Sequence, residues 1–148
     1  MDDRKSCFLM GNRHTPSSIR EQLAEVVKRH ITEYDVTSFT VGRYGNFDSL
    51  AAGVLRDLKK QYTNIELYLL APYALTQKTE IPMNFDGTFF PEGLEKVPLR
   101  YAIVQANKYM VQNCDYLITY CHHIGNTRNI VEYAQRREKK GLIKVTLL

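Results

Sequence analysis

Residues 41–52 read Val41-Gly42-Arg43-Tyr44-Gly45-Asn46-Phe47-Asp48-Ser49-Leu50-Ala51-Ala52. They follow a run rich in β-branched and aromatic residues, 36–41, and lead into a segment whose apolar residues recur at helical spacing. A strand, a glycine-containing turn and a helix in this order are the unit of parallel α/β sheets. Because N–H groups at a helix start lack helical partners and the helix dipole is positive there, this turn is also a candidate anion cradle.

Two further turns join an apolar run to a helix-like segment through glycine, polar and basic residues. One follows Cys7 to Met10, and the other follows Tyr116 to Cys121. They read Gly11-Asn12-Arg13-His14-Thr15-Pro16 and His122-His123-Ile124-Gly125-Asn126-Thr127-Arg128-Asn129. Three such turns in one small chain indicate one shared ligand. The alternative is that each glycine serves packing alone.

Strands and helices alternate along all 148 residues, which predicts one α/β domain, residues 1–148, with a parallel sheet. We predict five strands in the order 3-2-1-4-5, with helices on both faces of the sheet. Ligands bind such sheets where the strand order reverses, so the three turns should meet there. The first helix should be capped by Thr15 or by a capping box of Ser18 and Glu21. The predicted strands are about 5–10, 37–41, 66–71, 116–121 and 143–148, and the helices with predicted bounds are about 16–30, 99–113 and 127–140.

The segment from Tyr73 to Pro98 is too long for an ordinary connection and contains Phe85, Phe89 and Phe90. Long loops in compact domains are usually functional or disordered, and the aromatic content argues against disorder. The segment could be a lid that stacks on a base, a contact between subunits, or a loop that its phenylalanines fix to the core. A subunit contact would accompany a homo-oligomer, which we expect.

Composition excludes several classes of protein. The apolar fraction of 44% is that of a globular domain, and the net charge of +4 suits an anionic ligand without indicating nucleic-acid binding. There is no apolar run of membrane-spanning length and no signal peptide, and the three scattered cysteines suggest a reducing compartment. We therefore expect a cytoplasmic protein without membrane contact. Adjacent histidines such as His122 and His123 rarely converge on a metal, so we predict neither metal nor cofactor.

Individual side chains in or near the turns have identifiable chemistry. Arg13 could pair with a phosphate or be a solvated loop arginine, and Arg128, at a helix start, could be a second phosphate clamp or lie in solvent. His14 could contact the ligand or transfer a proton, or only stabilise its turn. Asp48 could bind a ribose hydroxyl or only interact with the helix dipole. Glu132 could be an acid–base group or a solvated charge on a helix face. Asp48 and Glu132 are our two candidate catalytic residues.

Several motifs occur in an order that resembles the SLOG superfamily, in particular its small stand-alone bacterial and phage members. The first two motifs are the turn at residues 11–16 and the glycine-containing stretch at residues 41–52, both quoted above. The others are Pro72-Tyr73, Arg100-x-Ala102-Ile103-Val104, Asn107-x-x-Met110-Val111, Asp115-Tyr116-Leu117-Ile118-x-Tyr120 and Glu132-Tyr133-Ala134. The resemblance covers nearly the whole chain and implies a Rossmann-like fold that senses or processes nucleotides and nucleotide-derived signals. The ligand-binding residues we predict are Gly11, Asn12, Arg13, His14, Gly42, Arg43, Tyr44, Gly45, Asp48, Tyr73, His122, Gly125, Asn126, Thr127 and Arg128.

A relative by fold is the LOG phosphoribohydrolase group, which cleaves a nucleoside monophosphate to base and ribose phosphate. These enzymes carry Pro-Gly-Gly-x-Gly-Thr-x-x-Glu after the corresponding strand. Here Gly125 and Thr127 roughly preserve the phosphate turn, but Ile130 occupies the glutamate position. The nearest glutamate, Glu132, lies about 200° further round the helix. The resemblance therefore supports binding better than catalysis.

Three functions follow. The first is binding of a nucleotide or a nucleotide-derived signal, as a sensor or a sequestering module. The second is hydrolysis of a nucleotide at the N-glycosidic bond, for which Asp48 or Glu132 would have to supply the carboxylate. The third is protein interaction or assembly through the aromatic segment.

Overall fold

One sheet of six parallel strands organises the part of the chain that the structure, a computed structural model, describes, namely residues 4–71 and 85–148. Its order is β4-β3-β2-β1-β5-β6. The strands are β1 (Lys5–Gly11), β2 (Val36–Val41), β3 (Glu66–Leu70), β4 (Gly87–Phe89), β5 (Tyr116–Tyr120) and β6 (Lys144–Leu147). The helices are α1 (Arg20–Thr32), α2 (Asn46–Gln61), α3 (Leu99–Asn113) and α4 (Asn126–Lys139), with short 3₁₀ turns at Ser17–Ile19 and Leu94–Lys96.

The predicted doubly wound α/β fold is confirmed, with one strand more than the five expected. The five predicted strands are β1, β2, β3, β5 and β6, and they have the predicted order 3-2-1-4-5. The additional strand, β4, lies beside β3 at the edge, where the Ala71 N–H donates to the Phe89 carbonyl at 2.8 Å. It falls within the segment predicted to be a loop. With three residues, it is too short to show an alternating sequence pattern.

Helices cover both faces of the sheet, as three layers require. Successive side chains of β1 point to opposite faces, so Cys7 and Leu9 pack with α1 and α2, whereas Phe8 and Met10 pack with α3 and α4. Both faces of β1 are therefore buried, which explains its continuous apolar run. Within residues 4–71 and 85–148, no helix has the length and apolar composition needed to cross a bilayer.

The start of the first helix differs from the prediction. The helix α1 begins at Arg20 after a 3₁₀ turn, and Ile19, at its N-cap position, makes no side-chain capping bond. Thr15 does not cap it, because the Thr15 hydroxyl donates to the Asn12 carbonyl at 2.6 Å within the preceding turn. The proposed box of Ser18 and Glu21 is not formed either. The predicted stop of α4 is confirmed, since the N–H of Gly141 donates to the Glu138 carbonyl at 2.9 Å.

Candidate functional site

A cavity of about 330 Å³ opens at the carboxyl end of the sheet, where β1 and β5 lead to connections on opposite sides. This is the topological switch point at which doubly wound sheets bind ligands. The three glycine-containing turns all contribute to its wall, as the sequence predicted. Their cavity-lining residues are Gly11, Arg13, Gly42, Tyr44, Asn126 and Thr127, and Asp48 joins them from the first turn of α2.

Hydrogen bonds join the three turns to one another. The Asn12 side-chain oxygen accepts from the N–H of His122 at 2.7 Å, which connects the turn after β1 to the turn after β5. The Arg13 carbonyl accepts from the N–H of Asn46 at 2.8 Å, which connects the same turn to the start of α2. Asn12 is buried and does not line the cavity. Its position is therefore that of a residue that orients the turns.

Gly45 allows the second turn to lie against the first. Its φ is +107°, a conformation that residues with a Cβ rarely adopt. A Cβ atom at this position would lie 2.8 Å from the Cα of Arg13. The positive φ and the close approach to Arg13 therefore both require glycine at this position.

Positive charge at the cavity comes from Arg13 and from the start of α4. Arg13 is exposed, and its guanidinium makes no ion pair or hydrogen bond with another described residue. Helix α4 begins after Gly125 with no side-chain capping bond and no acidic residue in its first turn. Because the first N–H groups of a helix lack helical partners, they are available to an anion beside Asn126 and Thr127.

Asp48 is a half-buried carboxyl in the same wall. Burial raises its pKa to about 7, although a hydrogen bond of 2.8 Å donated by the Tyr44 N–H acts in the opposite direction. A Cβ atom on Gly42 would lie 2.8 Å from the carboxyl oxygen Oδ2, so the side chain packs closely beneath the turn. Near neutral pH, this group can either donate or accept a hydrogen bond.

The remaining wall is apolar, and the sequence did not assign it to the site. Helix α3 contributes Ile103, Val104 and Asn107, while Phe8, Met10, Leu70 and Ile130 add apolar side chains from the sheet and α4. Asn107 is half-buried, and its amide forms no hydrogen bond with any other described residue. The available sequence signal was that Asn107 follows Val104 by three positions and Ile103 by four, which places the amide on the same helix face as these apolar residues.

Several predicted site residues do not line this cavity. They are Asn12, His14, Arg43, Gly45, His122, Gly125, Arg128 and Glu132. A ring N–H of His122 is placed to donate to the Leu148 carbonyl, at 3.2 Å. Glu132 is exposed on α4, as its angular offset from Ile130 predicts. Gly125 precedes the lining residue Asn126, whereas Tyr73 lies outside the described residues.

The described phenylalanines of the 73–98 segment pack against the core. Phe85 contacts the cluster on the α1 and α2 side, whereas Phe89 and Phe90 contact the cluster on the α3 and α4 side. The ring centroids of Phe89 and Tyr109 lie 5.9 Å apart. These contacts favour the interpretation in which phenylalanines fix the segment to the core. The rest of the predicted lid, residues 73–84, lies outside the described residues.

Across residues 4–71 and 85–148, no three His, Cys, Asp or Glu side chains are grouped so that they could hold a metal ion. Neither a scan against protein-family models nor a search of curated proteins gives a match to this chain.

Proposed function

We propose that the chain binds a nucleotide or a nucleotide-derived signalling molecule in this cavity, as a sensor or sequestering module of the SLOG superfamily. The observation that carries the proposal is the meeting of three turns beside Arg13, whose guanidinium has no partner among the described residues, and beside a helix start without a side-chain cap. Arg13 and the first N–H groups of α4 provide two sources of positive charge on one cavity. This combination suits a phosphate group.

The apolar wall suits the remainder of such a ligand. Ile103 and Val104 of α3 face the same cavity as the cationic groups, so a base could lie against them while the phosphate contacts the turns. The amide of Asn107 has a donor and an acceptor for the polar edge of the base. A volume of about 330 Å³ lies in the range of small-molecule sites.

Asp48 supports a second candidate function, the hydrolysis of the N-glycosidic bond. With a pKa of about 7, its carboxyl could protonate the leaving base while water attacks the ribose carbon. The water would then return a proton to the carboxylate, which leaves free base, ribose phosphate and an unchanged enzyme. Glu132 does not line the cavity, so the carboxylate candidate is Asp48 alone among the lining residues.

Incubation with a panel of purine and pyrimidine mono- and diphosphates, followed by chromatography, distinguishes these two functions. Recovery of intact nucleotide with the protein indicates binding, whereas release of free base indicates hydrolysis. Asp48→Asn should abolish base release if hydrolysis occurs. Absence of both binding and release contradicts the proposed function.

Arg13→Ala provides the test of the site itself. Loss of a charged hydrogen bond should weaken binding by roughly 1.5–3 kcal/mol, which is about a 10- to 150-fold rise in Kd. The control is Arg29→Ala, which removes an exposed arginine on α1 that pairs with Glu33 at 3.9 Å. Equal affinities of the two folded variants, measured by calorimetry, would place Arg13 outside the site.

The expected homo-oligomer and the third function, protein interaction, have their own measurement. The described phenylalanines contact their own core, so they give the interaction function no support. Light scattering with and without a bound nucleotide reports the assembly state directly. A monomer under both conditions would contradict the homo-oligomer.

A further inference from the structure

We infer that the ligand carries a second anionic group, which binds at Arg43 and Arg56 in a hollow next to the main cavity. The inference rests on the proposed function of that cavity. It specifies the ligand class as nucleotides whose two anionic groups are separated by an uncharged unit that bears hydroxyl groups.

The hollow lies on the α2 side of the turn after β2. Its volume is about 290 Å³, and its wall includes Arg43, Ser49, Arg56 and Leu69. Gly42 and Asp48 line both this hollow and the main cavity. The two spaces therefore adjoin, and a ligand that passes over Gly42 can occupy both.

The charges around the hollow are unbalanced. Arg43 and Arg56 make no ion pair or hydrogen bond with any other described residue. The next cations of the same helix are compensated, since Lys59 pairs with Asp86 at 2.7 Å and Lys60 with Asp57 at 3.9 Å. Asp48 is the one carboxyl among the described residues that line the hollow, and it forms no ion pair with either arginine. The two arginines repel each other, and an anion between them would reduce that repulsion.

The part of the ligand between its two anionic groups must pass Asp48. A carboxyl at this point disfavours a third anionic group but suits hydroxyl groups, to which it can donate or from which it can accept. The hydroxyl of Ser49 lines the same hollow and adds a further donor beside the two arginines. A ligand that crosses from the main cavity to the hollow thus passes the cationic groups of the cavity, then the Asp48 carboxyl, and then the two arginines of the hollow. This order of groups matches a ribose that bears phosphates on two different hydroxyl groups.

Calorimetry with two matched probes tests this inference. Adenosine 3′,5′-bisphosphate carries anionic groups on both sides of the ribose, whereas AMP carries one, and the guanine pair repeats the comparison. The wild-type protein should bind the bisphosphate at least tenfold more tightly than the monophosphate. Arg56→Gln and Arg43→Gln should each remove most of that gain and leave the affinity for the monophosphate unchanged. Arg29→Gln, on the exposed face of α1, is the control for loss of one charge.

The outcomes separate the inference from the function on which it rests. If the monophosphate binds but the second phosphate adds no affinity, the inference is overturned and the proposed function stands. The same holds if Arg56→Gln weakens both probes equally while circular dichroism shows an intact fold. If neither probe of either base binds the wild-type protein, both the inference and nucleotide binding at the cavity are contradicted.

Discussion

The side-chain oxygen of Asn12 accepts a hydrogen bond of 2.7 Å from the backbone N–H of His122, 110 positions later in the chain. The bond joins the two turns that flank the switch point of the sheet. The N–H of Asn12 also donates to the Tyr120 carbonyl at 3.0 Å, so one residue holds the turn after β5 at two points. The geometry of the cavity mouth therefore depends on a residue that does not line it.

Asn12→Ala should lower the free energy of unfolding by about 1–3 kcal/mol, because a partly buried N–H loses its acceptor. Urea denaturation at neutral pH measures the change. The control is Asn113→Ala, which removes an exposed hydrogen bond of 2.8 Å to the Tyr109 carbonyl and should cost less. Equal losses in the two variants would contradict a special contribution of Asn12. We also expect Asn12→Ala to weaken nucleotide binding, since the turns lose their mutual orientation.

Gly45 and Gly125 allow strain and crowding to be measured separately. Both have positive φ, +107° and +149°, with extended ψ of −179° and −161°, but a Cβ atom on Gly125 would meet no described atom within 4 Å, whereas one on Gly45 would meet the Arg13 backbone. Gly125→Ala should cost about 1–3 kcal/mol from the backbone conformation alone. Gly45→Ala should cost clearly more, because the Cα of Arg13 must shift. Denaturant midpoints give the loss in free energy of unfolding for both variants. Equal losses would show that the turn after β1 shifts without a measurable cost in free energy.

The doubly wound fold was predictable because its signals are local. Apolar runs such as Cys7 to Met10 mark strands that are buried on both faces, and helical periodicity marks the segments between them. The strand β4 was not predictable in this way, since three residues hold their place through pairing with β3 rather than through a pattern. The predicted cap of α1 was wrong because the structure uses the capping side chain for a different hydrogen bond. Thr15 has the side chain of a capping residue, but its hydroxyl bonds to the Asn12 carbonyl.

The wall of the cavity was predictable where turns form it and not where packing forms it. The turns that contain Gly11, Gly42 and Asn126 carry glycine and polar residues at strand ends, which a sequence displays. The wall from α3 depends on how that helix crosses the sheet, and no local pattern gives this crossing. The sequence did not single out Arg56 for a similar reason, because it lies on the third turn of α2 and lines the adjoining hollow only through the position of that helix.

Asp48 should make stability depend on pH near neutrality. Its pKa in the folded protein, about 7, lies above the ordinary value of 3.8, so the folded state binds the proton more tightly than the unfolded state. The resulting stabilisation is present below about pH 4 and is lost as the pH rises towards 7. Between pH 5 and pH 8, the wild-type protein should lose about 2 kcal/mol relative to Asp48→Asn, a figure reduced for partial solvent contact.

Unfolding free energies of the wild type and Asp48→Asn at pH 5 and pH 8 provide the measurement. The amide oxygen that this substitution introduces can still accept from the Tyr44 N–H, so the variant changes charge more than shape. Glu132→Gln, at an exposed position on α4, is the control for removal of a carboxylate outside the cavity. A parallel pH dependence in wild type and Asp48→Asn would refute the raised pKa.

His30 should give a pH dependence of the opposite direction. It is buried in α1, with edge contacts to the rings of Tyr34 and Tyr116 at 5.0 and 5.3 Å. Its Nδ1 lies 2.7 Å from the Val26 carbonyl, which only accepts, so Nδ1 carries the proton of the neutral ring and Nε2 lacks a described partner. Burial lowers the pKa of His30, and the positive charges of Lys144 and Arg29 act in the same direction.

Because its folded-state pKa is below the unfolded value, His30 stabilises the fold above about pH 6.5, and this contribution is lost as the pH falls further. The wild-type protein should therefore lose stability between pH 7 and pH 5 relative to His30→Gln, which has no titratable ring. His14→Gln, which removes an exposed histidine, is the control for loss of one imidazole. Thermal unfolding of the three proteins across this range is the test. If His30→Gln and His14→Gln lose stability equally on acidification, the lowered pKa of His30 is contradicted.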